Sequence, residues 1–154
     1  MKRAVTILLS AAMVIAAISL CGCSKTKYYD YTGEIDNIVS VEMIDVTKTA
    51  NNEAELEYEV IRSFDKSEWP EVLSDSAEIP HFFVYDPPSW QTGPALKIVF
   101  DEPLEGSLYV LVTKNKMVYA KQREGWIELD SYYSKCDYEQ WNEFVAKYTD
   151  IDPE

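Results

Sequence analysis

Thiol chemistry requires a thiolate and a base within hydrogen-bond reach, and this chain holds one histidine, His81, and three cysteines, Cys21, Cys23 and Cys136. Cys136 with His81 is the one such dyad available to a folded domain. The competing reading is packing, with His81 half-buried on a strand and Cys136 an apolar residue just before a helix. A closed zinc site usually needs four Cys or His ligands, and Cys136 with His81 would supply two to the folded domain. The spaced Asp loop of an EF-hand is absent, and Asp101-Glu102 with Glu105, or Asp150 with Asp152, read as a solvated turn and tail. No metal and no cofactor is therefore expected, and no catalytic residue is assigned. With 27 acidic residues, some carboxylate pair will fall at glycosidase spacing by chance, which keeps a carboxylate-dependent envelope hydrolase as an alternative only.

Two features fit binding better. Glu53, Glu55, Glu57 and Glu59 alternate with Ala54, Leu56, Tyr58 and Val60, the period of a half-buried strand with its carboxylates in one row. Like charges along a row repel, so a basic partner would relieve them; a solvated strand face is the alternative. Trp90 sits in Pro88-Ser89-Trp90-Gln91-Thr92-Gly93-Pro94, a stiff loop where an aromatic side chain can anchor a ligand or fold back over a sheet edge.

The N-terminus carries a different kind of information. Lys2 and Arg3 precede an uncharged apolar run from Ala4 to Leu20, the layout of an export signal. A retained membrane helix is the competing reading, weakened by the small residues, by Ser10 and Ser19, and by the cysteines where the run stops. Leu20-Cys21-Gly22-Cys23 resembles the lipobox of bacterial lipoproteins, with Leu20 and Gly22 as the signal-peptidase recognition residues. The resemblance implies cleavage before Cys23, diacylglyceryl modification of its thiol, and a membrane partner held through two acyl chains. Residues 1–22 are then the signal peptide, 23–33 the lipidated cysteine and tether, 34–150 one domain, and 151–154 an acidic tail.

Losing Lys2 and Arg3 would leave 12 basic residues against 27 acidic ones, a formal charge of about −15 compared with −13 for the whole chain. Such a balance excludes nucleic acid as a partner, since its binding is driven by Lys and Arg neutralising phosphates. It admits a cationic protein or peptide. With Cys21 removed and Cys23 lipidated, Cys136 has no disulfide partner, so an apolar core must hold the exported domain together.

The elements expected to position these residues follow from periodicity. Tyr28, Tyr29 and Tyr31 end the tether, lying on lipid head groups or packed on the domain. A β-branched run from Ile35 to Val46 reads as a strand, followed by the Glu53 to Val60 strand across a polar turn. Asp65 with Glu68 opens a short helix that Ser74, Ser76 and Pro80 end, and His81 to Tyr85 forms another strand. Residues 95–100, 108–113, 117–120 and 126–133 read as a meander turning at Glu105-Gly106, Lys114-Asn115-Lys116 and Glu124-Gly125. Asp137 caps a final helix whose Trp141, Phe144, Val145 and Tyr148 share one face. The expected fold is α+β, an antiparallel sheet of five to seven strands with a short helix after the second strand and a C-terminal amphipathic helix.

The stretch from Ala95 to Asp101, with Tyr133, Cys136-Asp137, Phe144 and Tyr148, is similar to small uncharacterised envelope lipoproteins of Gram-positive bacteria; that similarity implies no activity. Together these readings describe a lipid-anchored, extracytoplasmic, non-enzymatic binding module, or alternatively an inhibitor or immunity-like protein that captures a cationic partner.

Overall fold

A computed structural model describes residues 26–48, 52–83 and 92–150, without the side chains of 26, 27, 83 and 131–134. Six long strands form one antiparallel sheet: β2 (Ile38–Lys48), β3 (Glu57–Ser63), β5 (Gly93–Leu104), β6 (Ser107–Thr113), β7 (Lys116–Arg123) and β8 (Trp126–Cys136). Two short strands, β1 (Thr26–Lys27) and β4 (His81–Phe83), extend it beyond the end of β8, in the order β1-β4-β8-β7-β6-β5-β2-β3. The α+β architecture expected from the sequence is present. Helix α1 (Trp69–Glu78) follows the second long strand, and α2 (Tyr138–Tyr148) closes the chain.

Local chemistry accounts for the meander. Glu105-Gly106 joins β5 to β6 as a two-residue loop with φ of 50° and 81°, the double left-handed geometry of a type I′ turn. The Thr113 hydroxyl accepts the amides of Asn115 (3.3 Å) and Lys116 (3.0 Å) and so tightens the β6 to β7 turn. Asp137 caps α2 by accepting the Glu139 and Gln140 amides at 3.0 and 3.2 Å. The buried face of α2 is Trp141, Phe144, Val145 and Tyr148, as its spacing predicts.

Three boundaries differ from the sequence reading, each for a tertiary reason. Residues Thr32–Asn37 form a 3-10 turn, opened by Thr32 donating twice to the Asp30 carboxylate, so the first long strand starts at Ile38 rather than Ile35. Glu53–Glu55 is also a 3-10 turn, because Asn52 bridges across to Glu128 of β8 before β3 begins. Helix α1 begins at Trp69, with Pro70 in its first turn and Glu68 reaching back to the Asp65 amide (2.9 Å); it runs through Ser74 and Ser76 to Glu78. Those serines are poor helix formers, but Asp75 between them is clamped by α2, where Lys147 (2.6 Å) and the Tyr148 hydroxyl (2.6 Å) both donate to it.

Alternation along the strands builds two cores on opposite faces. One holds Val41, Met43, Leu96, Ile98, Val110 and Val112 under α1 and α2, with Trp69, Leu73, Trp141 and Phe144 as the helical contribution. Among the described residues no α-helix contributes to the core of the other face. There the sheet curls until the Asn52 to Glu128 bridge draws the start of β3 toward β8, burying Ile44, Val46, Leu111, Val118 and Leu129 beneath Leu56. Ala95 and Ala120, both fully buried, leave room for that curl. No helix among the described residues is long and apolar enough to cross a membrane.

Candidate functional site

His81 and Cys136 stand directly opposite each other in the β4 to β8 ladder and are 1% and 2% exposed. Burial pushes the Cys136 thiol up to about 12 and lowers His81 to about 4, so both are neutral at pH 7. The thiol donates to the Lys114 carbonyl at 3.2 Å, and the Tyr29 and His81 rings stand nearly perpendicular with their centres 5.0 Å apart. A thiol without thiolate character is a packing element, as the alternative sequence reading has it.

The four glutamates do not form one row. Glu53 and Glu55 lie in the 3-10 turn, where the Glu53 carboxylate approaches the Tyr109 hydroxyl; Glu57 and Glu59 lie on β3. Lys48 holds Glu57 at 2.9 Å. Trp90, Leu20, Gly22 and Cys23 lie outside the described residues. Among the described residues, no group of three or more His, Cys, Asp or Glu is placed to hold a metal ion.

What the structure does bring together is tyrosine with carboxylate, in two places. On the curled face Lys97 extends between Tyr58 and Tyr109. Its ammonium donates to the Tyr58 hydroxyl at 2.7 Å, lies 5.1 Å from the Tyr109 ring centre and 4.0 Å from Glu42, and its side chain is 12% exposed. Burial first, and the Glu53 carboxylate second, raise the Tyr109 hydroxyl well above the usual phenol range, so it stays neutral.

The second cluster is a cavity of about 410 Å³ between the chain preceding β2 and the β5 to β6 hairpin. Tyr28, Tyr29, Tyr31 and Tyr119 wall it, Leu104 and Val110 supply apolar floor, and Asp30, Glu34 and Glu105 bring three carboxylates. None of these lining residues is basic. Tyr31 is buried among them, and burial, followed by the Tyr119 hydroxyl, raises its hydroxyl far above the usual range, with Glu105 adding to the effect. Glu105 reaches this position from φ +50°, a left-handed conformation that costs an ordinary residue roughly 1 kcal/mol and that no other described non-glycine residue adopts.

Aromatic faces carry partial negative charge and carboxylates full charge, so such a wall attracts an alkylammonium or guanidinium group. Its volume lies within the usual range of ligand pockets. A smaller hollow between the helices, about 310 Å³ and bordered by Asp75, Glu78 and Glu143, differs in that Lys147 lines it and already bridges Glu71 and Asp75.

Of the residues in the cavity, Tyr28, Tyr29 and Tyr31 are visible in sequence as an aromatic run, though nothing there separates a cavity wall from a tether. Tyr119, Glu34 and Glu105 carry no signal, because 85 residues and a sheet register separate Tyr119 from Glu34. Compared with protein-family models, with curated proteins and with solved structures, the chain finds no match in any of the three.

Proposed function

We propose that this chain is a lipid-anchored, extracytoplasmic binding module without a catalytic role, whose cavity captures a cationic group carried by a protein or peptide. The observation that carries the reading is the wall of tyrosines and carboxylates with no base among its described lining residues, in contrast to a chemically similar cluster that closes on Lys97. The strongly acidic balance favours attraction of cations over distance, and the lipobox resemblance supplies the anchor.

The test is calorimetric titration of the full chain with a lysine-rich peptide. Binding is expected to weaken steeply as salt rises, and Glu105→Gln should weaken it about fivefold, the equivalent of roughly 1 kcal/mol for one partly exposed charge. Glu55→Gln and Glu57→Gln should leave it unchanged. Binding indifferent to both salt and Glu105 would sink the reading. For the anchor, labelled palmitate should enter the wild type and not Cys23→Ala.

A further inference from the structure

Basic residues in this acidic chain are mostly engaged: Lys48, Arg62, Lys97, Lys121, Arg123 and Lys147 each approach a carboxylate within 4.0 Å. Outside that pattern, Lys66 lies over the Trp69 ring and Lys116 is buried, which leaves Lys114 and Lys135. Among the described residues neither meets a carboxylate; both lie against one aromatic ring, Lys135 at 4.5 Å and Lys114 at 6.0 Å from the centre of Tyr138. Lys135 stands opposite Phe82 in the β4 to β8 ladder, and Phe82 (36%) and Tyr138 (42%) are among the few large apolar side chains left exposed. The acidic residues flanking Tyr138 in sequence are Asp137, which is spent on capping α2, and Glu139.

The chain enters the domain at this same edge, where β1 pairs with β4 through Thr26↔Phe82 and Lys27↔His81. Only three peptide units separate Thr26 from Cys23, a reach of roughly 10 Å when extended. If Cys23 carries lipid, this edge, and no other part of the sheet, is held against the bilayer surface.

We infer that Phe82, Lys114, Lys135 and Tyr138 form a membrane-docking face, which settles on anionic lipid head groups once the anchor is inserted. The inference rests on the lipid anchor proposed above. The chemistry suits the interface: ammonium groups near the surface are attracted to anionic head groups, and aromatic rings partition to the depth of those groups. The remaining surface, dominated by carboxylates, is repelled and turns outward. The face gives the domain a fixed pose, so that the anchor acts as a short hinge.

The experiment reconstitutes the full lipidated chain into vesicles of phosphatidylglycerol and phosphatidylcholine, with an environment-sensitive fluorophore on Phe82→Cys, Tyr138→Cys or, on the opposite edge strand, Val60→Cys. Blue-shifted emission and quenching by head-group-labelled lipid are expected at positions 82 and 138 and not at 60. The difference should shrink in pure phosphatidylcholine and on Lys114→Glu with Lys135→Glu, or with the single Gln variants if the double variant does not fold. Equal emission at all three positions, from protein that floats with the vesicles, would overturn the docking face and leave the anchor standing. Protein that stays in solution would overturn both.

Discussion

The Lys97 cluster and the cavity at Tyr31 are built from the same parts, tyrosine hydroxyls and rings with carboxylates beside them, and differ in one respect. In the first, β5 supplies its own ammonium and the cluster becomes part of the fold. In the second, three carboxylates converge with no base among the described lining residues, and one of them comes from a left-handed backbone position. A charge that is answered within the chain stabilises; a charge left facing a concave aromatic wall costs stability and gains it back only when something positive arrives.

Breaking the comparison at Lys97 should have the largest effect. Lys97→Met removes the ammonium from Tyr58 and Glu42 and leaves partly buried carboxylate behind, so urea denaturation at pH 7 should show a loss of about 3 to 4 kcal/mol. The same removal of charge at Glu105 should cost no stability. If the two variants destabilise equally, the distinction between the clusters is wrong.

Acidification provides the next test, because His81 touches the cavity wall through Tyr29 and is buried neutral. Its folded pKa lies near 4, below its unfolded value of 6.5, so the unfolded chain binds the extra proton in that interval. Stability should therefore be intact above pH 6.5 and fall by on the order of 3 kcal/mol as pH drops toward 4. His81→Phe should flatten the slope. Asp75 adds a component lower on the scale: although burial raises its carboxyl, Lys147 and Tyr148 outweigh that and hold it below the usual carboxylate value, so its share is lost only on stronger acidification.

A finer test exchanges strain for function. Asn favours the left-handed first position of a type I′ turn, so Glu105→Asn should stabilise the domain by about 0.5 to 1 kcal/mol while weakening binding of a lysine-rich peptide. Thermal melts and titration of the same sample check both halves. A variant both less stable and fully competent in binding would remove Glu105 from the site. The smallest expected effect is that of Glu57→Gln, whose carboxylate is exposed and answered by Lys48; binding should not change.

Much of the fold is legible in the chain because periodicity reports burial. The meander from Ala95 to Tyr133 shows strand-like apolar runs between turn residues, and Trp141, Phe144, Val145 and Tyr148 show the helical stripe; both are local signals. The failures lie where a distant contact overrides a local pattern. Glu53 to Val60 alternates without a break, yet the bridge from Asn52 to Glu128 turns its first three residues into a 3-10 turn and scatters the expected row of glutamates. Ser74 and Ser76 look like terminators until α2 holds Asp75 in place.

The sequence by itself determined the class of fold, the acidic balance and the pattern from which an anchor at Cys23 is read. These depend on residue type and neighbouring positions alone. Only the tertiary structure decided which carboxylates meet a base and which face an open aromatic wall, because that depends on sheet register. Lys97 and Tyr58, or Tyr31 and Tyr119, come together through strands whose order in space is not their order in the chain.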